Sequence, residues 1–463
     1  MRRAMILGFG CAAMLAGGSA LAAPVDLQDA LVEAYDSNPT LQAERANLRA
    51  TDEGVPQALS GWRPTVTLSG SYGKDNGNET ISQPFVFSSS TNRSPLTGTA
   101  TLTQPIFSGG ATRAAVHKAK NSVFAERAKL IATEEQVFGQ AISDYVTVIE
   151  DRQLLSLNQN NEQVLGEQLK ATQDRFRVGE LTQTDVAQAQ AALEGAKAQV
   201  ATAIGNLAAA KAAYEHDIGS APPDDLIPPA QLALHVNNVD EVSAYASKNN
   251  ATVVSAQFTL AAAHDNVDAT FAALLPQVSG VLTANRTQNQ SYGIPLTNDT
   301  SAVIQLQVPL YQGGAEYSKV RQAKEQVQQA EQSLIDARMA AVASAVQAYE
   351  TLIANEAAAD SDRAQIKANA IALSGVEREA LIGTRTTLDV LNAEQALLQS
   401  RTSLVQNLAQ AVASSYGVAS AMGQLTARDL SLNVTLYDET AYYDSVDTKL
   451  WGVSVPNSAG GKR

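Results

Sequence analysis

The chain has 463 residues, 45% of them hydrophobic but only 5% aromatic and 17% charged, with a formal net charge of −14. Its length suffices for two or three ordinary domains, and its acidity argues against nucleic acid as a partner. Beyond the N-terminal segment no apolar run reaches about 18 residues, which argues against a membrane-spanning helix.

The first 23 residues read as a secretory signal peptide. Arg2 and Arg3 form its positive end, Met5 to Leu15 its short apolar core, and Ala20-Leu21-Ala22-Ala23 its small-residue cleavage site. Cys11, the only cysteine, lies inside this segment, so the exported chain is expected to carry no disulfide and no thiol chemistry.

Helix is expected from Val25 to Leu59, with start signals at Asp26 and Asn38-Pro39. The period then changes from 3.6 to 2. Residues 65–72 and 96–103 alternate apolar with Thr or Ser, predicting a β-hairpin over about 65–106 with a polar loop at 74–94. A long helix is expected from Ala111 to about Arg175. Its apolar residues recur every seven, as Val123, Leu130 and Val137, with Phe124, Ile131, Phe138 and Tyr145 beside them. A turn at Gly179 leads to a second helix, Thr184 to about His216, and the Pro-rich stretch from Ala221 reads as a linker.

The sequence then starts again. Ser37-Asn38-Pro39 is answered 212 positions on by Asn249-Asn250-Ala251, and Pro64 by Pro276. At an offset of 204, Pro105-Ile106-Phe107-Ser108-Gly109-Gly110 returns as Pro309-Leu310-Tyr311-Gln312-Gly313-Gly314, and Gly179 and Asp185 return as Gly383 and Asp389. The difference between the offsets falls inside the hairpin, where an exposed loop tolerates it. The chain therefore reads as a tandem duplication, with repeats at 24–220 and 241–423. The second contains a hairpin at about 277–310 and helices over 315–421. A linker at 221–240 separates the repeats, and a tail at 424–463 ends in a disordered piece.

Strands that are apolar on one face and polar on the other fit a wall between lipid and water. Alternation alone fits a soluble sandwich hairpin equally well. Four strands per chain are too few for a closed barrel, and lipid does not tolerate an open sheet edge. If the strands span a membrane, several chains must share one barrel. Three chains would give about twelve strands around a lumen, whereas about eight strands are filled by side chains.

The duplicated unit, the Gly-Gly ends at Gly109-Gly110 and Gly313-Gly314, and the segment Gly383-Thr384-Arg385-Thr386-Thr387-Leu388-Asp389-Val390-Leu391 resemble the TolC family of outer-membrane efflux proteins. The resemblance covers the mature chain to about Leu430. It implies a mixed α/β membrane protein, a homotrimer whose 12-stranded outer-membrane β-barrel continues into a 12-helix periplasmic α-barrel. The linker and tail would form an equatorial domain. The implied function is an outer-membrane export channel for secreted proteins, small toxic molecules or both. Its implied partners are a periplasmic adaptor and an inner-membrane ABC transporter or proton-driven pump. No cofactor is implied. The Gly-Thr-Arg-Thr segment leans toward the branch of the family that serves protein secretion.

The same resemblance assigns residues. Arg385 matches an arginine that ties the inner coiled coil to a neighbour, and Thr184 and Asp185 match its partners. Asp389 matches an aspartate of the ring at the narrowest point. Two positions depart from the family pattern: Ala380 stands where a closing tyrosine is expected, and Asn392 where a second ring aspartate is expected. Fewer closing contacts and a single acidic ring are therefore expected. Val178-Gly179-Glu180-Leu181 and Ile382-Gly383-Thr384 match the tips that dock the adaptor. Without the resemblance, Arg385 and Asp389 would read as an ordinary i,i+4 helix-surface pair.

Nothing in the sequence points to catalysis. His117, His216, His235 and His264 lack metal-ligand spacing, and no nucleophile elbow or phosphate loop is present. The competing reading is a trimeric coiled-coil stalk, structural or adhesive, anchored in the outer membrane without a conducting channel.

Overall fold

The computed structural model describes residues 26–455 apart from 82–86, 235, 237, 292 and 293. The signal peptide with Cys11, His235 and the end of the tail therefore lie outside the described residues.

Three short helices open the chain where one was expected: α1 (Leu27–Ser37), α2 (Pro39–Asp52) and α3 (Gly54–Leu59). Asn38 makes the first break. It ends α1, and its side-chain oxygen accepts from the N–H groups of Thr40 and Leu41 to start α2. Pro39, at the first helical position, has no N–H to lose.

A four-stranded antiparallel sheet follows, in the order β1 (Thr65–Tyr72), β4 (Leu96–Phe107), β5 (Gln277–Ser291), β6 (Ile294–Gln307). The segment 74–94 corrects the loop expectation. Its described part forms a further hairpin, β2 (Asp75–Ile81) with β3 (Phe87–Arg93), which prolongs the β1–β4 ribbon. It lacked a strand signature because it has no apolar face; its backbone pairing does not depend on one.

The pairing registers keep the two faces of the sheet apart. Val66 lies opposite Leu102, Leu102 opposite Leu282, and Leu282 opposite Ala302, while Thr67, Thr101, Thr283 and Ser301 form the adjoining row on the other face. Leu68, Tyr72, Ile304 and Leu306 on the apolar face are all exposed in the protomer. β1 and β6 end the sheet with unpaired edges.

Each repeat then sends out one long and one short helix: α4 (Ala111–Arg177) with α5 (Gln183–Ile218), and α8 (Ala315–Leu381) with α9 (Thr387–Met422). The long helices have 67 residues each, so each is about 100 Å in length. The seven-residue period is structural. Val116, Val123, Leu130 and Val137 are buried along α4, and Ala189, Ala196, Ala203 and Ala210 along α5. Alanine at these layers lets the helices approach closely. The second apolar line is only half buried: Phe138 and Tyr145 are in the core, but Phe124 and Ile131 lie at the surface, where Phe124 meets Phe258.

The short helices are extended by stacked partners. The side-chain amide of Asn38 donates to the carbonyl of Asp217 at the end of α5. In the second repeat, Asn250 sits between α6 (Val239–Asn249) and α7 (Ala251–Phe271) and donates to Ala421 at the end of α9. The duplication is thus preserved in the bond that joins the stacked helices.

The main core lies at mid-length, around Leu31, Leu41, Phe138, Tyr145, Tyr214 and Ile218. The linker crosses it, accepting from the Tyr145 hydroxyl at Ile227. The tail, including α10 (Ala441–Val446), covers it with Leu425, Ala427 and Leu432.

Candidate gate at the helical tips

Both helical hairpins turn by the same local chemistry. Gly179 and Gly383 hold φ angles of 83° and 80°, a region that costs little only for glycine. The Gly179 N–H donates to Phe176 and that of Glu180 to Arg175; likewise Gly383 donates to Ala380 and Thr384 to Glu379. This paired bonding satisfies the last carbonyls of each long helix.

The next helix starts with a capping box. Thr182 caps α5, and the carboxylate of Asp185 accepts from the Thr182 N–H at 2.9 Å and from its hydroxyl at 2.7 Å. Thr386 and Asp389 repeat this at α9, with both distances 2.9 Å. Hydrogen bonds from Thr182 hold Asp185 below the usual carboxylate range, and those from Thr386 do the same for Asp389. Both aspartates are therefore firmly ionised. The Thr/Asp start signal that follows each turn glycine is thus a Thr-x-x-Asp capping box, a role that the gate assignment of Asp185 and Asp389 did not include.

Arg385 lies outside the helix, just before the cap, so it forms no i,i+4 helix pair with Asp389. Its Nε donates to Glu379 Oε2 at 2.9 Å. The first repeat inverts the pair: Arg175, at the position equivalent to Glu379, donates to Glu180 at 3.0 Å. Thr184 is exposed, and Asp185 spends its carboxylate on Thr182, so the protomer itself does not join either of them to Arg385. Ala380 is partly covered and Asn392 exposed. At the tips, Val178 is 72% and Ile382 76% exposed, and Gly179, Glu180, Gly383 and Thr384 are also exposed, with Leu181 partly covered.

Behind the tips the two hairpins meet through Leu165, Ala196 and Leu391. One turn further along α9 is Glu394, which sequence reasoning passed over. It is buried, its Oε2 has no hydrogen-bond partner, and burial, with the nearby charge of Glu377, pushes its carboxyl up to about 7. Among the described residues no group of three or more His, Cys, Asp or Glu side chains is placed to hold a metal ion.

A profile of the outer membrane efflux protein family matches residues 30–219 and 243–424, one segment on each structural repeat. The chain belongs to that family. The efflux protein BepC of Brucella suis is 34% identical over 455 residues, 96% of each chain. TolC of Escherichia coli is 24% identical, covering 90% of this chain and 86% of its own. The solved structure of VceC from Vibrio cholerae superimposes with a TM-score of 0.74 at 19% identity, over 86% of this chain and 96% of VceC. The mixed architecture of paired strands and long helices is that of the TolC-like channels, and the protein resides in the outer membrane and extends into the periplasm.

Proposed function

We propose that three copies of this efflux-family chain close one conduit, gated at its periplasmic end by the two helical tips. The unpaired edges of β1 and β6 support closure, because each exposes a row of backbone donors and acceptors that lipid cannot satisfy. Pairing β1 of one copy with β6 of the next would satisfy both. The apolar face would then meet lipid, and the Thr, Ser and Gln face would line the lumen.

The observation that carries the gate is the inverted ion pair. Arg385 is half exposed and bound only to Glu379, a partner equally exposed. Such an exposed pair is held only weakly against water and salt, so Arg385 exchanges partners easily. In the closed assembly its fork would bond Thr184 and Asp185 of an adjacent hairpin. Asp389 of each copy would form a single acidic ring. Val178 and Ile382 would offer apolar contact to a periplasmic adaptor, beyond which an inner-membrane pump supplies cargo. The description of BepC as an outer membrane efflux protein supports an export role for the conduit.

Planar-bilayer recording of the purified trimer tests the reading. A conduit gives discrete, cation-selective conductance steps, and a solid stalk gives none.

A further inference from the structure

The tail beyond the main core climbs along α2 toward the membrane. The Tyr437 N–H donates to the hydroxyl of Tyr35. The Tyr442 hydroxyl donates to Glu53 at the end of α2, at 2.8 Å. Arg63, two residues before β1, donates to the carbonyl of Lys449 at 3.1 Å. Each contact is nearer the barrel than the one before. The tail therefore reaches the level at which the strands enter lipid.

There the chain folds into a small loop. Gly452 takes a φ of 103°, and the ammonium of Lys449 turns back to the carbonyl of Ser454. Apolar residues point away from the protein: Leu450 is 70%, Trp451 87% and Val453 fully exposed, with Val455 close behind. The chain has only two tryptophans, and the other, Trp62, adjoins Arg63 and is half exposed. The Arg63–Lys449 bond thus brings the segment that carries Trp451 beside the one that carries Trp62. Phe107 at the end of β4 is also exposed.

We infer that the loop 449–455 is a membrane anchor that inserts Leu450, Trp451 and Val453 into the periplasmic leaflet of the outer membrane. An exposed apolar cluster has to be covered. Tryptophan prefers the interface between hydrocarbon and headgroups, and the Arg63–Lys449 bond ties the loop to the chain two residues before β1. The cationic groups of Arg63 and Lys449 lie behind the apolar tip, at headgroup height. The anchor would hold the equatorial layer at a fixed distance from the bilayer.

The test uses the full-length Trp62→Phe chain, in which Trp451 is the sole tryptophan. It is reconstituted as the assembled channel in vesicles of phosphatidylethanolamine and phosphatidylglycerol. Phospholipids brominated near the headgroup should roughly halve its fluorescence, and aqueous acrylamide should have little effect. Quenching by acrylamide alone overturns the anchor, because the loop then sits in water. Quenching by neither also overturns it, because a neighbouring copy then covers the loop. If Trp62→Phe fails to assemble, the difference between the unsubstituted chain and Trp451→Phe reads the same quantity.

Discussion

Arg385 donates to Glu379 across the second tip, and Arg175 donates to Glu180 across the first, with the charges exchanged between helix end and turn. The duplication kept the geometry of the turn and inverted its ion pair. As a result, the first tip carries its anion in the turn and the second its cation, which suits attraction between the two tips of adjacent hairpins. If Arg385 closes the periplasmic end, Arg385→Ser should raise single-channel conductance in planar bilayers. Glu379→Gln, which frees Arg385 from its local partner, should lower it or leave it closed. Equal conductance for all three channels would reduce Arg385 to a surface pair.

Asp389 has a local role and a proposed pore role, and the two separate by comparison. Asp389→Asn and Asp185→Asn each weaken a capping box. Only Asp389→Asn should reduce cation selectivity and block by multivalent cations, since a carboxylate ring at a constriction attracts cations. Reversal potentials in a salt gradient read this directly. Equal shifts from both substitutions would place the effect in the caps.

The duplication was legible in the sequence because glycines and prolines mark positions that backbone geometry fixes: Gly179 with Gly383, and Pro64 with Pro276. The polar hairpin 75–93 was not, since paired backbone leaves no pattern when both faces are wet. At the tips, Thr-x-x-Asp marks a cap in the sequence but does not say whether the same carboxylate also lines a pore; the bonds from Thr182 and Thr386 establish the first role. The bond from Asn38 to Asp217 was hidden because it joins residues far apart in the chain.

That bond makes a prediction about stability. Asn38 is 6% exposed, and its side chain serves three backbone groups, at Thr40, Leu41 and Asp217. Asn38→Ala leaves them without this partner, the Leu41 N–H in a buried setting, and should cost about 2–3 kcal/mol. Asn250→Ala removes the equivalent joint in a half-exposed position and should cost about half as much. Thermal unfolding in detergent, at fixed pH, would rank them. The reverse order would show that the first joint is not the stronger.

Four buried acids set the response to pH. Burial pushes Glu135 up to about 8, Asp144 and Glu394 to about 7, and Asp52 to about 6. Each carboxyl is raised above its unfolded value, so the fold holds the neutral acid. The unfolded chain loses these protons first as pH rises through about 4 to 5, and from there stability falls until each folded group has also ionised. The melting temperature of the detergent-solubilised protein should therefore decline between pH 5 and about pH 8. Glu135 lies nearly fully buried on α4, with one oxygen unpartnered, so it contributes most to the upper part of that window. Glu135→Gln should flatten the decline between about pH 6 and 8 and raise the melting temperature at the alkaline end. Glu394→Gln should act in the same direction over a window about one pH unit lower, near the tips. A melting temperature that rises with pH across this range would mean that the assembled channel supplies these carboxylates with cationic partners.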